Sequence, residues 1–116
     1  PQYKGKFDGV AVRAPVADGS LSDITFITSR PTTVEEIRNI FREEASSPRY
    51  KNIVGVSEDP LVSTDIIKDQ RASVVDLELV QVVDGNLVKI MSWYDNEWGY
   101  ASQMVREAEN LSKSRK

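Results

Sequence analysis

Three features of the sequence predict an α+β fold: a mixed, mainly antiparallel sheet covered on one face by helix, plus a C-terminal helix. The stretch RPTTVEEIRNIFREEAS carries an apolar period of 3.6 residues behind a threonine–glutamate start signal. Two β-branched runs, ASVVDLELVQVV and LVKIMSWY, flank the turn Asp84-Gly85-Asn86. A last apolar stripe at helical spacing follows the acidic knot Asp95-Asn96-Glu97.

The elements follow in order. KFDGVAVRAPV alternates loosely and ends at Pro15, which predicts a strand around Val10 to Arg13. ADGS is turn chemistry. LSDITFITS is apolar on both faces at Ile24, Phe26 and Ile27, the pattern of a central strand. In the first helix Val34, Ile37, Ile40 and Phe41 share a face, and Thr32 or Thr33 with Glu35 or Glu36 makes a capping box. IVGVS predicts a short strand, and one helical turn is expected near Ser63 to Ile67. In the hairpin, Val75, Leu77 and Leu79 are expected on one face of the first strand, and Val88, Ile90 and Tyr94 on one face of the second. Asp95 or Asn96 then caps a helix whose stripe is Trp98, Ala101, Val105 and Ala108. The closing KSRK reads as a frayed basic tail.

Composition narrows the chemistry. At 116 residues the chain fits one domain. It is 40% apolar and 28% charged, as ordinary globular proteins are. A net charge of −3 with mixed signs points to neither nucleic acid nor a membrane surface as partner. No apolar run reaches membrane-spanning length and no signal peptide is visible. The absence of cysteine excludes disulfides and is compatible with the cytoplasm. Lacking Cys and His together, the chain cannot supply a thiolate–imidazole pair, a Ser-His-Asp triad or an ordinary zinc site. It has no GxGxxG or GxxxxGK[ST] loop. Its first residue is Pro1 rather than Met, the mark of a processed chain or of a piece of something longer.

Both tryptophans and two of the four tyrosines fall within SWYDNEWGYASQMV, where the last strand meets the last helix. A helix N-terminus offers unpaired N–H groups and partial positive charge to polar or anionic ligands. The rings around it can wall a planar ligand, or they can close the core while Asp95 and Asn96 cap. Pattern alone leaves both open. The charged runs Arg42–Glu44 and Val105–Glu109 read as solvated helix faces, and Ser57–Pro60 as a turn.

The wording of the chain goes further than its pattern. GKFDGVAVRAPVADGSLSDITF, PTTVEEIRNIFREEA, IVGVSEDPLVSTDII, ASVVDL and DGNLVKIMSWYDNEWGY resemble, collinearly and over essentially all 116 residues, the catalytic domain of phosphorylating glyceraldehyde-3-phosphate dehydrogenases. The resemblance implies a glycolytic, cytoplasmic, oligomeric NAD(P)-dependent enzyme acting on glyceraldehyde 3-phosphate and inorganic phosphate. It implies that Asn96 binds the nicotinamide carboxamide, since an amide donates to a carbonyl and accepts from an NH2 at once. It implies that Tyr100 packs beside that ring and that Arg13 binds phosphate through its guanidinium fork. It implies, finally, that the helix over residues 96–112 packs on a dinucleotide-binding domain.

The departures matter as much. The family's catalytic cysteine and the histidine that activates it are absent, as is the Gly-rich turn. The expectation is therefore a partial catalytic domain, inactive and cofactor-free alone, whose last helix is displaced from its place in the intact enzyme or buried against a second copy. A non-catalytic oligomerisation or partner-binding module is the alternative from another class. A sister enzyme acting on erythrose 4-phosphate is a third reading that these residues do not separate from the first.

Overall fold

A computed structural model describes residues 1–114; Arg115 and Lys116 of the expected basic tail lie outside them. Strand β1 (Ser20–Ile27), helix α1 (Val34–Ser46), strand β2 (Val54–Ser57), a 3-10 turn (Ser63–Ile66), strands β3 (Ser73–Val83) and β4 (Leu87–Tyr94), and helix α2 (Trp98–Ser114) follow in chain order. The four strands form one sheet in the order β1-β4-β3-β2. The β1–β4 and β3–β4 pairs are antiparallel and β2–β3 is parallel, so the fold is α+β with a mixed sheet.

Helix α1 covers one face. Ile37 is buried with Val75, Leu77, Val80, Val88 and Ile90, and Val34 and Phe41 pack on that cluster from the same helix. Its start is half a capping box. Thr33 Oγ1 accepts from the Glu36 N–H at 3.2 Å, but the Glu36 carboxylate turns away to Thr32 Oγ1 and Arg30. The hairpin turn takes positive φ at Asp84 (50°) and Gly85 (74°).

Four expectations need correction. In α1 Ile40 is 44% exposed, so the face that meets the sheet is Val34, Ile37 and Phe41 without it. Residues 10–13 form no strand; Val10 is 93% and Val12 85% exposed. Alternation specifies an extended backbone, but a strand also needs a partner edge, and no described strand pairs with this one. Strand β1 is an edge, not central, and Ile24, Phe26 and Ile27 are exposed. In β3 a register shift between Asp76 and Gln81 changes the alternation. Leu77 is 0% exposed and Val80 is buried, while Leu79 is 41% exposed. Arg38 Nε of α1 donates to the Leu77 carbonyl inside this irregular stretch, at 2.8 Å.

Candidate functional site at the junction of the last strand and last helix

The site is built where β4 hands over to α2. Asp95 is the cap. Its Oδ1 accepts from the N–H groups of Glu97 (2.8 Å) and Trp98 (2.6 Å) at the start of the helix Trp98–Ser114. Its Oδ2 accepts from the Lys68 N–H at 2.7 Å, tying the helix start to the loop before β3. Burial, which leaves Asp95 2% exposed, pushes this carboxyl up, but the N–H donations from Lys68, Glu97 and Trp98 outweigh it and leave it below the usual range.

Capping by Asp95 releases Asn96 for other work. The Asn96 side chain accepts through Oδ1 from the Ser20 hydroxyl at 3.1 Å. Asn96 and Tyr100 line one cleft of about 180 Å³ with Ala72, Tyr94, Asp95 and Gln103. Tyr100 is 67% exposed and Trp98 is also exposed, so these rings do not close the core. Trp93, half-buried, donates from Nε1 to the buried Asp76 carboxylate at 3.2 Å.

Helix α2 rests on loops, not on the sheet. Gln103 Nε2 donates to the carbonyls of Asn52 (3.2 Å) and Gln70 (2.8 Å), and Arg106 Nη1 to that of Lys51 (3.1 Å). Gly99 lets the first turn approach: a Cβ there would lie 2.8 Å from the Arg71 carbonyl oxygen. A hydrogen bond from Arg71 holds the Asp69 carboxyl below its usual range in the same loop. A second, polar cleft of about 530 Å³ opens between α2 and these loops, lined in part by Asp69, Arg71 and Arg106. The stripe of Trp98, Ala101, Met104, Val105 and Ala108 is exposed.

Of the three residues singled out from the sequence, the fold brings two together. Asn96 and Tyr100 share the cleft, whereas Arg13 lies outside its lining, on the unpaired stretch, and makes no ion pair among the described residues. Sequence reasoning missed Ser20 and Gln103. Ser20 reaches Asn96 only because the β1–β4 register sets it opposite Tyr94, a long-range fact without a local signal. Among the described residues no three His, Cys, Asp or Glu side chains gather as a metal site would need, and no helix is long and apolar enough to cross a membrane.

Comparison with known proteins decides the family. The family model described as glyceraldehyde 3-phosphate dehydrogenase, C-terminal domain, matches residues 1–96. The chain belongs to the glyceraldehyde-3-phosphate dehydrogenase family. It is 45% identical to glyceraldehyde-3-phosphate dehydrogenase 3 of Nostoc sp. over 116 residues, 100% of this chain and 34% of that protein. It is 40% identical to the glyceraldehyde-3-phosphate dehydrogenase of Zymomonas mobilis over 98% of this chain and 34% of the relative. With the enzyme of that name from Mycobacterium avium it shares 41% identity over 98% of this chain and 33% of the relative. The chain thus spans about a third of the length of these dehydrogenases. The family match stops at Asn96, but the alignment with the Nostoc protein takes in all of α2 as well.

Proposed function

We propose that this chain is the C-terminal part of the catalytic domain of an NAD(P)-dependent phosphorylating glyceraldehyde-3-phosphate dehydrogenase, to which it contributes nicotinamide and phosphate contacts. The observation that carries the reading is the convergence of Asn96 and Tyr100 on one cleft at the start of α2, in a chain of this family. The bound nicotinamide would accept hydride from the substrate. Asn96 offers its amide to the ring's carboxamide, and the Tyr100 ring supplies a wall. Arg13, on the unpaired stretch before β1, offers its guanidinium to a phosphate once neighbouring loops complete the site. The same reading takes glyceraldehyde 3-phosphate and inorganic phosphate as substrates, in a cytoplasmic glycolytic enzyme. It sets α2 against the dinucleotide-binding domain of a homo-oligomer. The uncovered α2 stripe and the exposed apolar side chains of β1 support that assembly.

The test separates the chain from the whole enzyme. The 116-residue chain alone, without Cys or His, is expected to form no NADH from glyceraldehyde 3-phosphate, NAD and phosphate. Within a full-length dehydrogenase carrying this domain, Asn96→Ala is expected to weaken NAD binding, and Arg13→Ala to raise the KM for phosphate or for the aldehyde while leaving NAD affinity alone. Turnover by the pure 116-residue chain, or an Asn96→Ala enzyme that binds NAD normally, overturns the reading.

A further inference from the structure

We propose that Ser20 is a positioning residue for Asn96, fixing the plane of the amide that the nicotinamide carboxamide meets. The inference rests on the reading of Asn96 given above and extends it to a residue in a different element, 76 positions away in sequence.

The turn between β4 and α2 leaves the Asn96 amide short of constraints. Its backbone neighbour Asp95 is spent on Lys68, Glu97 and Trp98. Among the described residues the Ser20 hydroxyl is the one group hydrogen-bonded to the Asn96 side chain. The terminal torsion of asparagine is broad, so an unrestrained amide samples many orientations at little cost. Donation from Ser20 to Oδ1 removes that freedom. It leaves both Nδ2 hydrogens and the second Oδ1 lone pair for a ligand, which is the set a carboxamide needs.

Ser20 can do this because its own position is held on three sides. It opens β1 and pairs with Tyr94, two residues before Asn96. The preceding Gly19 stands at φ +88°, and a Cβ there would lie 2.9 Å from the Ser63 carbonyl oxygen and 3.0 Å from Ile66 Cγ2. The Gly19 N–H is fastened to Asp18 Oδ1 at 2.7 Å. The hydroxyl is therefore presented from a backbone that has little room to shift, on the strand next to the site.

The experiment uses the full-length dehydrogenase carrying this domain, with Ser20→Ala, Ser20→Thr and Asn96→Ala compared. Two readouts are taken: the split between KM for NAD and kcat, and the face of the nicotinamide C4 that receives deuterium from a 1-deuterated aldehyde. Ser20→Ala is expected to raise the KM for NAD roughly three- to tenfold, the worth of one lost neutral hydrogen bond, and to yield detectable wrong-face product. Ser20→Thr keeps a hydroxyl and should restore both. Asn96→Ala should show the larger version of the same pair of defects. If Asn96→Ala shows them and Ser20→Ala matches the unsubstituted enzyme, the role of Ser20 is overturned and that of Asn96 stands. If Ser20→Ala and Ser20→Thr fail alike, with lowered Tm and intact facial selectivity, Ser20 is only structural and the proposal is overturned. If Asn96→Ala leaves both readouts unchanged, the proposal falls together with the reading on which it rests.

Discussion

The buried carboxylate of Asp95 accepts the backbone N–H of Lys68 at 2.7 Å, and Lys68 itself stands at φ +68°. A left-handed lysine is unfavourable unless its surroundings compensate, and this hydrogen bond is a local compensation. One side chain thus serves as helix cap and as clasp for the loop that α2 rests on.

Asp95→Ala should remove both functions and cost about 1–3 kcal/mol, the range for a lost cap combined with unpaired buried donors. Asp95→Asn keeps one oxygen but sets an NH2 against an N–H donor, so it should recover only part of the loss. Amide hydrogen exchange at Lys68, Glu97 and Trp98, with urea unfolding, checks this. Unchanged protection at Lys68 in the alanine variant would refute the clasp.

Acid should release the same clasp. The Asp95 carboxyl titrates below its ordinary value in the folded chain, so the unfolded chain takes up protons first as pH falls. The stability it contributes is complete above the unfolded value, about 3.9, and is lost as pH falls through the folded value. Trp98 fluorescence and circular dichroism between pH 7 and pH 2 should show α2 loosening in acid, with a shallower pH dependence in Asp95→Asn. An identical acid transition in both proteins would assign the effect to other carboxylates.

Leu77 and Leu79 give the sharpest test of the β3 irregularity. Leu77→Ala should cost about 2–5 kcal/mol, because its side chain is wholly enclosed. Leu79→Ala should cost less than about 1 kcal/mol in the isolated chain, since much of that side chain is already in water. Equal losses of unfolding free energy would mean that regular alternation persists through β3.

Gly99→Val should drive the first turn of α2 off the Asp69–Arg71 loop, where even a Cβ lacks room. A cost of about 1–3 kcal/mol is expected from overpacking, with faster amide exchange along α2. In a full-length enzyme the same change should weaken NAD binding through displacement of Asn96 and Tyr100. Wild-type stability together with wild-type NAD affinity would show that this approach is not needed.

What could be read from the sequence was local. The Thr33 cap, the apolar face of α1 and the Asp84-Gly85 turn are decided by residues within a few positions of one another. So is the Asp95 cap, once Asn96 is recognised as the wrong choice of two. The misjudged elements depend on remote chain. Ile24 and Phe26 are apolar on a strand that lies at the edge, and the stretch from Val10 to Arg13 has the alternation of a strand but no partner. Period-2 counting puts Leu79 beside Leu77, and a register shift defeats it. For the site, the wording YDNEWGY pointed to Asn96 and Tyr100, whereas the hydrogen bond from Ser20 exists only through strand pairing.

The pairing of Ser20 with Tyr94 also sets a clock on synthesis. Strand β1 leaves the ribosome well before β4, its partner among the described strands, has been made. At ordinary elongation rates of about 5–20 residues per second, the 74 residues from Leu21 through Tyr94 take about 4–15 s to add. Through that interval Ile24, Phe26 and Ile27 travel on a nascent strand whose β4-facing edge is unoccupied. The β3–β4 hairpin, by contrast, can zip within microseconds of emerging. The pairing of β1 therefore waits on β4, and among the described strands β1 is the one for which a nascent-chain chaperone has the longest opportunity to act.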